Sequence, residues 1–261
     1  MLLENPEFFW VVLAFFCIAA FYSSVGFGGG SSYLAILALV FASFYEIRST
    51  ALLCNLVVVS SSCMMYLKKG HLHIRKFLPF VLMSIPLAFL GALFKLDESV
   101  FFVLLGLTLI ISSIALVIQT YTHRQVRVQF EKFPPWISYI IGSVIGFLSG
   151  LVGIGGGIFL SPLLNHMRWD IPIKIAALAS FFILANSISG ITGLVVSGTF
   201  DVPWDKAGLL FFAVLLGGQL GVRFSLKKFN ANSIRLITAV LVFIVGIRIL
   251  VSNGFNISVF T

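Results

Sequence analysis

The stretch VGFGGGSSYL, Val25–Leu34, puts four glycines into five residues inside a long uncharged tract. A glycine costs about 1 kcal/mol against alanine in a helix interior. The same device returns as VGIGGGIFLS, Val152–Ser161. How the chain folds turns on why a helix breaker occurs twice in the middle of apolar sequence.

The surroundings of the two motifs set the solvent. Of 261 residues, 59% are hydrophobic and 10% charged, with a mean hydropathy of +1.10. A soluble domain carries about a quarter charged residues, so this chain has too little polar surface to cover itself. A bilayer crossing takes about 20 apolar residues, and hydropathy divides the chain into ten apolar segments near 8–25, 29–45, 50–67, 77–94, 99–120, 135–152, 156–167, 174–197, 207–222 and 234–252. The expected fold is an all-α polytopic membrane protein with about ten transmembrane or half-membrane helices. Segments two and seven are short, and each begins at a triple glycine. Cys17, Cys54 and Cys63 all lie in apolar tracts, so no disulfide framework is expected. Glu4 and Glu7 without a nearby Lys or Arg are unlike a cleaved leader, and the first segment is expected to be a permanent span.

The net charge of +8 points to loops beside a bilayer rather than to nucleic acid. If each segment crosses, or if segments one and two and segments six and seven return as pairs, 13 of the 17 basic residues fall on one side. The other side receives only Arg48, Lys95 and Lys206, and Arg248 falls inside segment ten. Positive charge marks the cytoplasmic side, which puts both termini outside.

An internal repeat underlies this split. Val25–Gly30 aligns with Val152–Gly157 at an offset of 127. Residues 1–120 form the first repeat with its glycine motif at 26–30, 121–134 a cytoplasmic linker, and 135–261 the second repeat with its motif at 153–157. Five segments per half, an odd number, require the halves to be inverted. Matching loops carry opposite charge: KKGHLHIRK is basic where SGTFDVPWDK is acidic, and KLDES is acidic where RFSLKKFNANSIR is basic. Inverted repeats are common in secondary transporters, whose sites lie near the midplane at the repeat interface.

Within lipid, non-helical backbone survives only when buried in protein or lining a wet cavity. A chain that unwinds at Gly28, Gly29 and Gly30 would start a helix near Ser31 or Ser32, whose free N–H groups and dipole attract an anion. Gly155, Gly156 and Gly157 would supply a facing copy. Helix packing through small residues is the competing explanation, and would suffice for a single glycine. Polar residues in the spans extend the candidate lining: Asn55 in segment three, Ser180 and Asn186 in segment eight, and Gln219 beside Gly217 and Gly218. Each could instead serve helix–helix hydrogen bonding. Arg248 lies one turn from a segment end, where arginine snorkels to the interface. No Asp or Glu lies deep in a span, no fixed cation is expected there, and no residue identifies a coupling ion. Metalloprotease, redox, Ser-His-Asp and phosphate-loop motifs are absent from the sequence, which disfavours an enzyme.

GFGGGSSYLAIL and GIGGGIFLSPLL, one in each half, resemble the TauE/SafE sulfite-exporter family of membrane permeases. The likeness covers essentially the whole chain and is closer for the second motif, where Pro162 stands at the position of Ala35 in the first. It implies a secondary transporter of sulfur-containing anions such as sulfite, sulfonates or sulfoacetate. It also implies a bacterial inner membrane and no cofactor. The partners expected are the bilayer, a small anionic substrate and a coupling proton or sodium ion, with no nucleic acid. An anion channel on the same scaffold, or a non-transporting membrane subunit, are the alternatives. Substrate, direction and oligomeric state are not legible.

The topology is testable by labelling. A cysteine introduced between Lys68 and Lys76 on a cysteine-free background should resist an impermeant thiol reagent applied to intact cells. Labelling from outside would reverse the assignment.

Overall fold

A computed structural model of the chain describes residues 6–24, 27–41, 43–122, 133–225 and 231–251. The described residues form ten helices and no strand. In order they are α1 (Pro6–Ser24), α2 (Gly30–Val40), α3 (Phe44–Lys68), α4 (Ile74–Leu93), α5 (Glu98–Thr122), α6 (Pro135–Val152), α7 (Gly157–His166), α8 (Pro172–Val196), α9 (Trp204–Ser225) and α10 (Ala231–Ile249). Val25, Gly26, most of the expected linker and the basic residues Lys227 and Lys228 lie outside the described residues. The largest departure from expectation is α3, which begins at Phe44 rather than near 50. Glu46 and Arg48 interrupt the hydropathy but not the helix. Glu46 sits in the first turn, where a carboxylate complements the dipole.

Six helices among the described residues are long and apolar enough to cross a membrane. The distribution of polarity agrees. Leu107, Ile111, Ile114 and Ile118 form an exposed stripe on α5, and Leu78, Leu82 and Ile85 one on α4. Ser49, Asn55, Ser84, Ser112 and Asn186 are buried. An apolar rind around a partly polar interior suits a hydrocarbon solvent. The chain is a polytopic membrane protein.

Close packing fixes the helix directions. Gly142, Gly146 and Gly150 of α6 lie against Phe80, Ser84 and Ala88 of α4, so these helices run parallel. Gly217 and Gly221 of α9 lie against Phe16 and Ala20 of α1, again parallel. A Cβ at any of the five would press into the facing backbone or its adjoining Cβ, which is how small residues let membrane helices approach. Antiparallel pairs form the middle: Gly190 of α8 meets Leu52 of α3, and Gly246 of α10 meets Leu109 and Ile110 of α5. Exchanging α1–α5 for α6–α10 leaves the principal packed pairs unchanged. The α1–α9 pair becomes α6–α4, α3–α9 becomes α8–α4, α2–α3 becomes α7–α8, and α5–α7 becomes α10–α2. The α3–α8 and α5–α10 pairs map onto themselves.

The exchange extends to one kind of side-chain contact. Lys76, the third residue of α4, lies 4.4 Å from the ring of Trp169 just past α7. Lys206, the third residue of α9, lies 5.5 Å from the ring of Phe41 just past α2. Only the first pair carries a carboxylate among the described residues: Lys76 Nζ donates to Asp170 Oδ2 at 2.5 Å, with Lys174 Nζ 3.8 Å from Oδ1.

Burial raises the Asp170 carboxyl, but the hydrogen bonds from Lys76 and the Ile171 N–H, with the charges of Lys76 and Lys174, outweigh it and hold the pKa below its usual value. A depressed carboxyl contributes stability at neutral pH and loses it as pH falls through the carboxylate range. Lys76 is half exposed, which limits the pair to about 1 kcal/mol or less. Asp170→Asn should therefore melt below the wild type at pH 7 in detergent, and the gap should close under acid conditions. Equal melting at pH 7 would show that the ion pair contributes nothing.

Candidate functional site

Both glycine motifs break the helix in the same way. Gly29 precedes α2 with φ +90°, and Gly156 precedes α7 with φ +81°. The offset of 127 maps one onto the other. Gly153 and Gly155 are also left-handed, at φ +85° and +82°. Glycine alone adopts this region without a steric penalty. The new helices are short, 11 and 10 residues, or about 15 Å each and half a bilayer core.

Asn55 joins the two breaks. It is the twelfth residue of the 25-residue α3, hence mid-helix, and fully buried. Its Nδ2 donates to the Ile154 carbonyl at 3.1 Å, inside the second break. A Cβ on Gly28, inside the first break, would stand 2.8 Å from its Oδ1. One on Gly155 would stand 3.1 Å from its Nδ2, and one on Gly30 would strike the amide. Across from it Ile183, the twelfth residue of the 25-residue α8, meets Gly28, Gly155 and Gly157. The two helix starts thus converge where α3 and α8 cross.

The region is rich in donors. The N–H groups of Ser31, Ser32, Gly157 and Ile158 find no acceptor among the described residues. Buried side-chain atoms without a protein partner lie here as well: Ser31 Oγ, Tyr33 OH, Asn55 Oδ1 and Ser187 Oγ. Ser187 stands 3.5 Å from a Cβ on Gly155. None of the nine acidic residues belongs to the two motifs or to the central turns of α3 and α8. Two helix N-termini, unengaged amides and no carboxylate suit an anion.

The expected residues divide accordingly. Gly28, Gly29, Gly30, Gly155, Gly156, Gly157 and Asn55 come together, and Ser31 opens α2 with a free hydroxyl. The Ser32 hydroxyl is engaged by the Tyr22 OH at 2.6 Å. Asn186 is buried beside Ser187. Ser180 is buried one turn before Ile183 on α8. Gln219 is half-buried on α9, and no contact brings it to either break. Arg248 is exposed, as an interfacial arginine would be.

Arg48 was missed. The charge pattern assigns it to an outer loop, yet it lies within α3 with 1% of its surface exposed. Nη2 donates to the Gly150 carbonyl and, at 3.4 Å, to the Gly91 carbonyl, near the ends of α6 and α4. Its Cγ is 2.8 Å from a Cβ built on Gly153. Arg48 is thus a buried cation one turn into α3, not a loop residue. The available signal was helical spacing: Arg48, Leu52, Asn55 and Val59 lie on one face of α3, and each touches residues of α8 or the breaks.

The family model for the sulfite exporter TauE/SafE matches residues 11–249. A "Probable membrane transporter protein" of Sinorhizobium fredii is 33% identical over 250 residues, covering 94% of this chain and 99% of that protein. A protein of the same description from Bacillus subtilis is 25% identical over 260 residues, covering 90% and 94%. Another from Sinorhizobium sp is 26% identical over 246 residues, covering 92% of each. No solved structure matches the chain.

Packing and binding explanations of the glycines make different predictions. Gly28→Ala and Gly142→Ala should both lower the folded yield, since each Cβ meets a neighbour. Only Gly28→Ala should also lower anion flux per folded protein, by about tenfold or more, corresponding to roughly 1.4 kcal/mol. Equal flux per folded protein for the two variants would leave packing as the whole role of the motif.

Proposed function

The chain belongs to the sulfite exporter TauE/SafE family of membrane transporters, and from that premise we propose that it is a secondary transporter of small oxyanions working by alternating access. One observation carries the reading. Two half-length helices, each started by a left-handed glycine, converge on Asn55 at mid-membrane, in a buried donor-rich region without a carboxylate. A tetrahedral sulfur oxyanion presents several acceptor oxygens to such donors. The family description favours sulfite, and related sulfonates share its acceptor geometry.

The inverted arrangement of the halves is part of the proposal. The conserved list of packed pairs under exchange of α1–α5 with α6–α10 supports it, as does the antiparallel crossing of α3 and α8. The proposed setting is a bacterial inner membrane, with the 68–76 and 223–235 loops cytoplasmic and both termini outside. Carriage needs no chemistry on the substrate, so no enzymatic step is assigned.

Mechanism follows from burial. Asn55, Asn186, Ser31 and Ser187 are all buried, so an anion reaches them only when one face opens. The Lys76–Trp169–Asp170 contact and the Lys206–Phe41 contact tie opposite halves together at the two ends. Releasing one while the other holds would expose the site alternately.

Proteoliposome exchange tests this. Sulfite uptake should saturate and should be accelerated by unlabelled sulfite inside. Uptake that rises linearly with concentration and shows no counterflow would make the protein a channel.

A further inference from the structure

We infer that Arg48 is the charge-bearing residue of the anion site, the group that makes it select for net negative charge. This rests on the transport reading above and assigns a role to a residue that reading does not use.

The half-charges at the helix breaks do not select for charge by themselves. Each break has one helix ending and another beginning: α1 and α2 at the first, α6 and α7 at the second. The ending helix brings about −0.5 and the starting one about +0.5, so each break is a dipole with little net charge. Such a break orients an acceptor but does not distinguish an anion from a zwitterion with the same sulfonate group. Arg48 is the full charge beside the second break, packed against Gly153 on the α3 face that also carries Asn55. No carboxylate lies within ion-pair distance of it among the described residues. Its Nε is buried and has no acceptor.

Capping accounts for part of its position. Nη2 serves the carbonyls of Gly150 and Gly91, near the C-termini of α6 and α4. Those partial negative charges offset a cation there. A neutral amide could donate to the same carbonyls, however, without the cost of a charge in a span. An unpaired Nε–H on a buried guanidinium at the broken helix is what an arriving oxyanion would meet. A planar guanidinium suits oxyanions better than a lysine ammonium does.

The test reads charge preference rather than activity alone. Sulfite counterflow is measured in proteoliposomes, with taurine as a zwitterionic competitor, for wild type, Arg48→Gln and Arg48→Lys, each normalised to folded protein. Arg48→Gln should raise the half-saturating sulfite concentration at least tenfold while weakening taurine inhibition by a clearly smaller factor, so that the sulfite-to-taurine ratio falls. Arg48→Lys should raise it two- to fivefold, keeping the charge and losing the planar donor set. If Arg48→Gln does not fold, the Arg48→Lys shift decides. A purely structural cap would lower melting temperature and yield but leave half-saturation and the sulfite-to-taurine ratio as in wild type, and that result would overturn the assignment. Failure of the transport reading looks different. Wild type would then show no saturable counterflow with any oxyanion, and the assignment of Arg48 would fall with it.

Discussion

The structure depends on one constraint: in hydrocarbon, every backbone N–H and C=O needs a partner, and this chain breaks its helix twice beside the midpoints of α3 and α8. Each broken backbone must be wrapped in protein. Around the breaks, α3 and α8 cross at their midpoints, and each contributes its twelfth residue to the wrapping. The glycine rows joining α6 to α4 and α9 to α1 bring the flanking helices close enough to seal the core. Asn55 donating to the Ile154 carbonyl shows the constraint at a single atom pair. Unsatisfied groups cost several kcal/mol each in hydrocarbon, and the N–H groups at the starts of α2 and α7 are the donors on which the proposed function draws.

The two breaks share a left-handed glycine just before the new helix, Gly29 and Gly156, but differ at Gly28 and Gly155, of which only Gly155 is left-handed, and in side-chain chemistry. Where α3 places Asn55, α8 places Ile183; where α8 places Ser187, α3 places Val59. The second break lacks the paired hydroxyls that open the first, having Ile158 and Phe159 at the positions of Ser31 and Ser32. At the ends, Lys76 has Asp170 and Trp169 while Lys206 has the Phe41 ring. Under the alternating-access reading proposed above, such asymmetry would let two end states differ in energy, the ion-paired end being the harder to open.

Much of the fold was legible because the membrane simplifies the code. Apolar segments long enough to span became helices within a few residues, and the glycine repeat located both breaks. That the glycines and Asn55 would come together was legible because a helix breaker and an amide in a span both need a reason. Arg48 was not legible, since an average over a window treats a charge near a segment end as a loop residue. Its environment comes from carbonyls 43 and 102 residues away, which no local pattern encodes. Gln219 is half-buried on α9, which packs on α1 and α3, and polarity within a span does not say by itself whether a residue lines a site or joins helices. Tyr33 was hidden for a related reason, since an aromatic on an apolar stripe reads as core. Its ring stacks on Phe15 at 4.7 Å, yet its hydroxyl is free.

The magnitudes bear on what kind of protein tolerates such a site. Insertion scales put a charged residue at a helix centre at about 2.5–3.5 kcal/mol; Arg48, one turn into α3, faces less than that, and its guanidinium recovers part of the cost by capping α6 and α4. The unrecovered part is what an anion could return on binding. A return of a few kcal/mol corresponds to weak binding once the cost of association is subtracted. A carrier requires that range, because an anion held by several full charges would not be released on the other side. On the proposed reading, a single partly capped arginine, two breaks with little net charge and a cluster of neutral amides and hydroxyls would combine charge preference with ready release. That balance would be lost if either break carried its own lysine or arginine, and neither glycine motif contains one.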